Sequence, residues 1–91
     1  MKANILVVDD DSGIRTLLSE VLRSGDNKVS EADSVAAVQK AFGGEQPDVV
    51  VLDVKLGPGK GDERAGLELL PQIKRRWPET EVIVLTGEGT V

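Results

Sequence analysis

The stretch Ile5-Leu6-Val7-Val8-Asp9-Asp10 decides the fold class, because an unbroken apolar run of mostly β-branched residues ends abruptly in two carboxylates. A half-solvated strand alternates apolar with polar side chains, so a continuous run is the pattern of a strand covered on both faces. Val49-Val50-Val51-Leu52 and Val82-Ile83-Val84-Leu85 have the same character. They too end in polar residues, Asp53 and Thr86. The more polar Val29-Ser30-Glu31-Ala32 reads as an edge strand.

Between these runs the period lengthens. Ile14, Leu17, Leu18, Val21 and Leu22 fall on one face of a helix, with Asp11 or Ser12 able to cap its start. Gly25 stands where a helix ends in a left-handed residue. Val35, Val38, Ala41 and Phe42 mark a second helix, opened near Asp33 or Ser34 and closed at Gly43-Gly44. A third runs from about Gly66 to Trp77, with Leu67, Leu70, Ile73 and Trp77 apolar and Pro78 stopping it. Pro71 inside it predicts a kink or a late start, since its ring lacks the N–H owed to the Leu67 carbonyl. Trp77 and Phe42 read as core, and Lys74-Arg75-Arg76 as a solvated helix end favoured by the dipole. The order is β-α-β-α-β-α-β, and right-handed crossovers build it into an α/β fold, a doubly wound parallel sheet.

Composition removes several classes of function. The 91 residues hold one domain, and 16 acidic against 11 basic residues leave a formal charge of −5. That charge repels phosphate backbones, so this segment is not expected to bind nucleic acid directly. No apolar run approaches the roughly 20 residues of a membrane span, and Met1-Lys2-Ala3-Asn4 carries no signal-peptide pattern. A soluble, cytoplasmic chain is expected. With no Cys, His or Tyr, the chain has no disulfide, thiol nucleophile or imidazole base.

What remains for chemistry is carboxylate and hydroxyl, and these gather at the strand ends. In open α/β sheets the ligand crevice lies outside the carboxyl ends of the strands, where the winding reverses, here between the first and third strands. Asp9, Asp10 and Asp53 would repel one another there unless a proton or a hard cation joins them. Oxygen ligands and a small site point to Mg²⁺. Asp11 reads as a helix cap instead.

Taken together, Ile5-Leu6-Val7-Val8-Asp9-Asp10-Asp11-Ser12, Val50-Val51-Leu52-Asp53, Gly66-Leu67-Glu68-Leu69-Leu70 and Val82-Ile83-Val84-Leu85-Thr86 resemble, in order, the blocks of a bacterial two-component receiver domain. The style is similar to receivers of enhancer-binding activators of the nitrogen-regulation type. The resemblance implies a flavodoxin-like fold and a phosphorylation-controlled signalling domain, not a turnover enzyme. It implies that Asp53 attacks the phosphorus of a phosphohistidine on a sensor histidine kinase or phosphotransfer protein. Asp9, Asp10, Asp53 and the backbone carbonyl of Lys55 would hold Mg²⁺, and Thr86 would be the switch hydroxyl. The partners implied are that kinase and a transcription-regulating output domain elsewhere in the protein, with a homodimer allowed and no membrane.

The sequence departs from the family pattern in two places. The family has a proline about four residues after the acceptor and the third-helix glycine about eight after it; here those positions are Gly57 and Gly61, with Pro58 displaced by one and Gly66 further on. The stretch Gly57-Pro58-Gly59-Lys60-Gly61-Asp62-Glu63-Arg64 thus spans an insertion of about five residues, read as a flexible loop. It does not fit a phosphate-binding loop, because Gly61 follows Lys60. The family also continues beyond the switch threonine with a helix, a strand ending in a phosphoryl-pairing lysine, and a last helix. The expectation for residues 1–91 is therefore a partial receiver domain lacking that last helix-strand-helix. Two other readings remain: a phosphorylation-independent interaction domain or inactive fragment, and a Mg²⁺-dependent aspartyl-phosphate phosphatase. The second requires an acid where Lys55 stands.

Overall fold

Side-chain parity along the central strands explains their unbroken apolar runs. In β1 (Asn4–Val8), Ile5 and Val7 face one layer while Leu6 and Val8 face the other. In β3 (Val49–Asp53), Val51 joins Ile5 and Val7, and Val50 and Leu52 join Leu6 and Val8. The structure, a computed structural model, describes residues 2–53 and 64–85.

Those residues form β1, α1 (Ser12–Ser24), β2 (Lys28–Ala32), α2 (Val35–Ala41), β3, α3 (Arg64–Arg76) and β4 (Glu81–Leu85) in order. All strand pairs are parallel, in the spatial order β2-β1-β3-β4. The chain thus winds outward from β1 first one way and then the other, which is the doubly wound arrangement expected. On one face α2 and α3 bring Val38, Leu69 and Ile73, with Trp77, onto Leu6, Val8, Val50 and Leu52. On the other, Leu18 and Leu22 of α1 pack on Ile5, Val7, Val29 and Val51. Full burial of a side chain such as Leu52 or Ile73 contributes roughly 1.5–3 kcal/mol. Trp77 meets Phe42 edge to face at 4.9 Å between ring centroids, so both are core as expected.

Helix ends follow local chemistry. The Asp11 carboxylate accepts the Ile14 N–H at 3.1 Å, and the Ser34 hydroxyl accepts the Ala37 N–H at 3.1 Å, so both act as N-caps. Gly25 caps the C-terminus of α1 without going left-handed, at φ −87°. The positive φ falls instead on Asp26, at 66°, where its N–H still reaches the Arg23 carbonyl at 2.9 Å. The Asn27 side-chain amide donates to the Leu22 carbonyl at 2.9 Å, meeting another carbonyl that a left-handed glycine turn would have served.

Three expectations are corrected. Helix α3 begins earlier than expected, at Arg64, and continues through Pro71 without a late start. Pro71 and Leu67 are both exposed, so the missing Pro71 N–H lies on the outer side of the helix and not in the core. Its buried face accordingly runs through Gly66, Leu69, Ile73 and Trp77, not through Leu67. Finally, the apolar run of β4 reads as covered on both faces, but β4 is the outermost strand among the described residues. Ile83, Val84 and Leu85 are 52%, 39% and 37% exposed, as expected of a bare apolar edge in a partial receiver domain. Ile14, Leu17 and Val21 of α1 form a second exposed apolar stripe, on the side of the helix turned from the sheet.

Candidate functional site

The register of β1 against β3 builds the site. Val8 lies opposite Leu52, so the next residues of the two parallel strands, Asp9 and Asp53, emerge side by side at the strand spacing of about 4.8 Å. The pairing with β2 extends one residue beyond β1, because the Asp9 N–H donates to the Ala32 carbonyl at 3.1 Å. Asp10 follows into solvent. One carboxylate oxygen from each of Asp9, Asp10 and Asp53 lies within 4.8 Å of the others. The three aspartates singled out by their position after strands are thus brought together.

Their environments differ. Asp9 is 3% exposed, Asp53 is half-buried and Asp10 is exposed. Burial, the largest cause, pushes the Asp9 carboxyl above its ordinary value of 3.8, and the Asp11 N–H, donating to its Oδ1 at 2.9 Å, pulls it back. The Asp53 charge, a hydrogen bond with the Asp53 side chain and the Asp10 charge push it up further. Such a set, oxygen-only and overloaded with negative charge, gains most from a hard divalent cation. Asp11, read as a cap, keeps that role. Thr86 and Lys55 lie outside the described residues.

One neighbour of the site was not legible in the sequence. The Arg15 Nη1 donates to the Asp9 carbonyl at 2.8 Å, while its Nε donates to Glu31 Oε1 on β2 at 3.1 Å. The only sequence signal was its place in the first turn of a helix, where the dipole disfavours a cation and a specific acceptor has to compensate. A cavity of about 200 Å³ lies at the opposite end of the sheet, where Asn4, Lys28, Pro47 and Trp77 line it. It contains none of the three aspartates. No helix among the described residues is long and apolar enough to cross a membrane.

Comparison with known proteins agrees with this geometry. The family model described as the response regulator receiver domain matches residues 5–91. The DNA-binding transcriptional regulator NtrC of Proteus hauseri is 35% identical over 88 residues, which cover 97% of this chain and 18% of that protein. The crystal structure of NtrX from Brucella abortus in complex with ADP superposes with a TM-score of 0.85 at 35% identity, covering 98% of this chain and 20% of that one. A response regulator from Burkholderia pseudomallei, solved with a phosphorylated aspartic acid, calcium and citrate, gives 0.82 at 27% identity, over 92% of this chain and 46% of that one. The chain therefore spans under a fifth of the length of the curated relative. The matched span takes in the ends of all four strands and with them the whole carboxylate cluster, and on that footing the chain belongs to the response regulator receiver domain family.

Proposed function

We propose that Asp53 accepts a phosphoryl group from the phosphohistidine of a sensor histidine kinase or phosphotransfer protein. The observation that carries this reading is the gathering of Asp9, Asp10 and Asp53 within 4.8 Å at the ends of two adjacent parallel strands. A carboxylate oxygen of Asp53 attacks phosphorus, the phosphorus–nitrogen bond of the donor breaks, and an acyl phosphate forms while the histidine leaves and takes up a proton. The chain has no histidine of its own, in keeping with a domain that receives from another protein.

Asp9, Asp10 and Asp53, with the backbone carbonyl of Lys55, would hold Mg²⁺. When bound, that ion neutralises the transferring phosphoryl oxygens. The chain's own part is placement: the β1–β3 register sets Asp9 beside the nucleophile, and burial of Asp9 keeps that side of the site from bulk water. Thr86 would hydrogen-bond a phosphoryl oxygen and move toward it, carrying the change to an output domain. The NtrC relative, a DNA-binding transcriptional regulator, supports a transcription-regulating output, and a cytoplasmic setting goes with that role. Such a domain is a switch that is loaded once per signal, not an enzyme with turnover on free substrates.

Acetyl phosphate with Mg²⁺ should add one phosphoryl mass to the protein, and Asp53→Asn should abolish the gain. A gain that persists in Asp53→Asn would overturn the assignment.

A further inference from the structure

Two arginines of α1 converge on one glutamate of β2, and only one of them continues into the site. Arg15 Nε donates to Glu31 Oε1 at 3.1 Å, and Arg23 Nη2 stands 3.7 Å from Glu31 Oε2. Arg23 also donates to the Val29 carbonyl, at 3.3 Å, within the sheet edge. Arg15 donates its second bond, at 2.8 Å, to the carbonyl of Asp9. Ser19, four residues from each arginine on the same helix face, is fully buried, so no bulky side chain rises between them.

We infer that Arg15 is a positioning residue for the cation site: anchored by Glu31, its guanidinium holds the Asp9 carbonyl and so fixes the peptide that leads into Asp10. The inference rests on the reading of the three aspartates as the Mg²⁺ ligands. The Asp9 carbonyl and the Asp10 N–H share one rigid peptide plane, so fixing the carbonyl also sets the direction in which Asp10 leaves the strand. The other side of Asp9 is already held, by its N–H bond to the Ala32 carbonyl and by the bond from the Asp11 N–H to its side chain. Without Arg15, the Asp9 carbonyl loses the side-chain bond that sets the plane of the peptide leading into the exposed Asp10. The Arg15 side chain is only 18% exposed, which makes its charge-assisted bonds worth more than those of a surface pair.

Positioning and simple charge predict opposite signs. If Arg15 merely adds a positive charge near the aspartates, removing it should tighten Mg²⁺ binding. If it fixes the ligands, removing it should weaken binding despite the more negative site. Calorimetric Mg²⁺ titration of the protein, with thermal unfolding in chelator alongside, separates the two. Arg15→Ala should raise the Mg²⁺ Kd about tenfold, at the low end for loss of a group that orients a metal ligand. Arg23→Ala, which removes a cation from the same glutamate without touching Asp9, should leave the Kd unchanged and cost less stability, since its side chain is 52% exposed and 3.7 Å from Glu31. Arg15→Met keeps the aliphatic stem and carries the same expectation as Arg15→Ala, which guards against a variant that only unfolds. Mg²⁺ binding in Arg15→Ala and Arg15→Met that equals or exceeds wild type would overturn the inference. Asp10→Ala, titrated in parallel, keeps the two levels apart. Weakened binding there with none in the Arg15 variants defeats only the positioning role, whereas unchanged binding in Asp10→Ala defeats the cation-site reading beneath it.

Discussion

Replacing Asp9 by Asn should stabilise the protein in the absence of divalent cations and at the same time remove most of the stabilisation that Mg²⁺ confers. Two full charges at the 4.8 Å limit of the cluster repel by about 0.9 kcal/mol at the dielectric of water and about 3.5 kcal/mol at an effective dielectric of 20. Asp9 is buried and Asp53 is half-open, so the pair falls between these bounds. The amide is nearly isosteric. Its oxygen can still accept the Asp11 N–H, and its nitrogen can donate to Asp53 without the bound proton that the Asp9 carboxyl needs for the same hydrogen bond. A gain of about 1–3 kcal/mol follows, and each kcal/mol raises the unfolding temperature of a domain this size by roughly 4–8 °C. The pH dependence has a fixed sign. In the folded state the Asp9 carboxyl titrates above 3.8, so the native protein binds more protons than the unfolded chain between 3.8 and the raised value. Wild-type stability therefore falls as pH rises through that window. The advantage of Asp9→Asn should be absent below 3.8 and complete above the raised value. Thermal unfolding followed by circular dichroism, in chelator and then in millimolar Mg²⁺, measures both effects. An Asp9→Asn protein no more stable than wild type at neutral pH in chelator would refute the electrostatic account of the cluster.

Two further expectations concern the frame around the site. The 91-residue polypeptide should self-associate through β4 and the apolar surface beside it, because Ile83, Val84 and Leu85 are exposed on a strand whose outer edge is unpaired among the described residues. Ile83→Lys should shift its sedimentation toward monomer, and a wild-type chain that stays monomeric at high concentration would count against the edge. Asp26→Gly should stabilise by about 0.5–1 kcal/mol, since φ 66° strains any residue with a Cβ and the Asp26 N–H bond to Arg23 is kept. A lower denaturant midpoint for Asp26→Gly would show that the Asp26 side chain contributes more than its strain costs.

The layer order and the location of the site were legible in the sequence because hydrophobic period reports burial. Ile5 to Val8 and Val49 to Leu52 are apolar at every position, and only a strand between two helix layers needs that. The same signal misled at β4. Val82 to Leu85 carries an equally apolar run, yet composition cannot say whether a neighbour is present to cover it. On α3 the apolar residues outnumber the buried positions. Leu67 and Leu69 are equivalent as letters, and the packing of α3 beside α2 selects Leu69.

Residue type and position along the chain were enough to nominate Asp9, Asp10 and Asp53. A single strand-end carboxylate more often caps a helix or turn, as Asp11 does, but polar residues at the ends of several buried strands agree on one site. Whether they meet depended on register, a relation between strands more than forty positions apart that the opposition of Val8 and Leu52 settles. The Arg15 link was beyond sequence reasoning for the same reason. Arg15, Glu31 and the Asp9 carbonyl belong to a helix, an edge strand and a strand end, and only tertiary packing makes a surface-looking arginine a brace for the site. Local pattern determines what each segment buries and what it can offer chemically; distances between segments, on which charge and coordination depend, exist only once the sheet has closed its register.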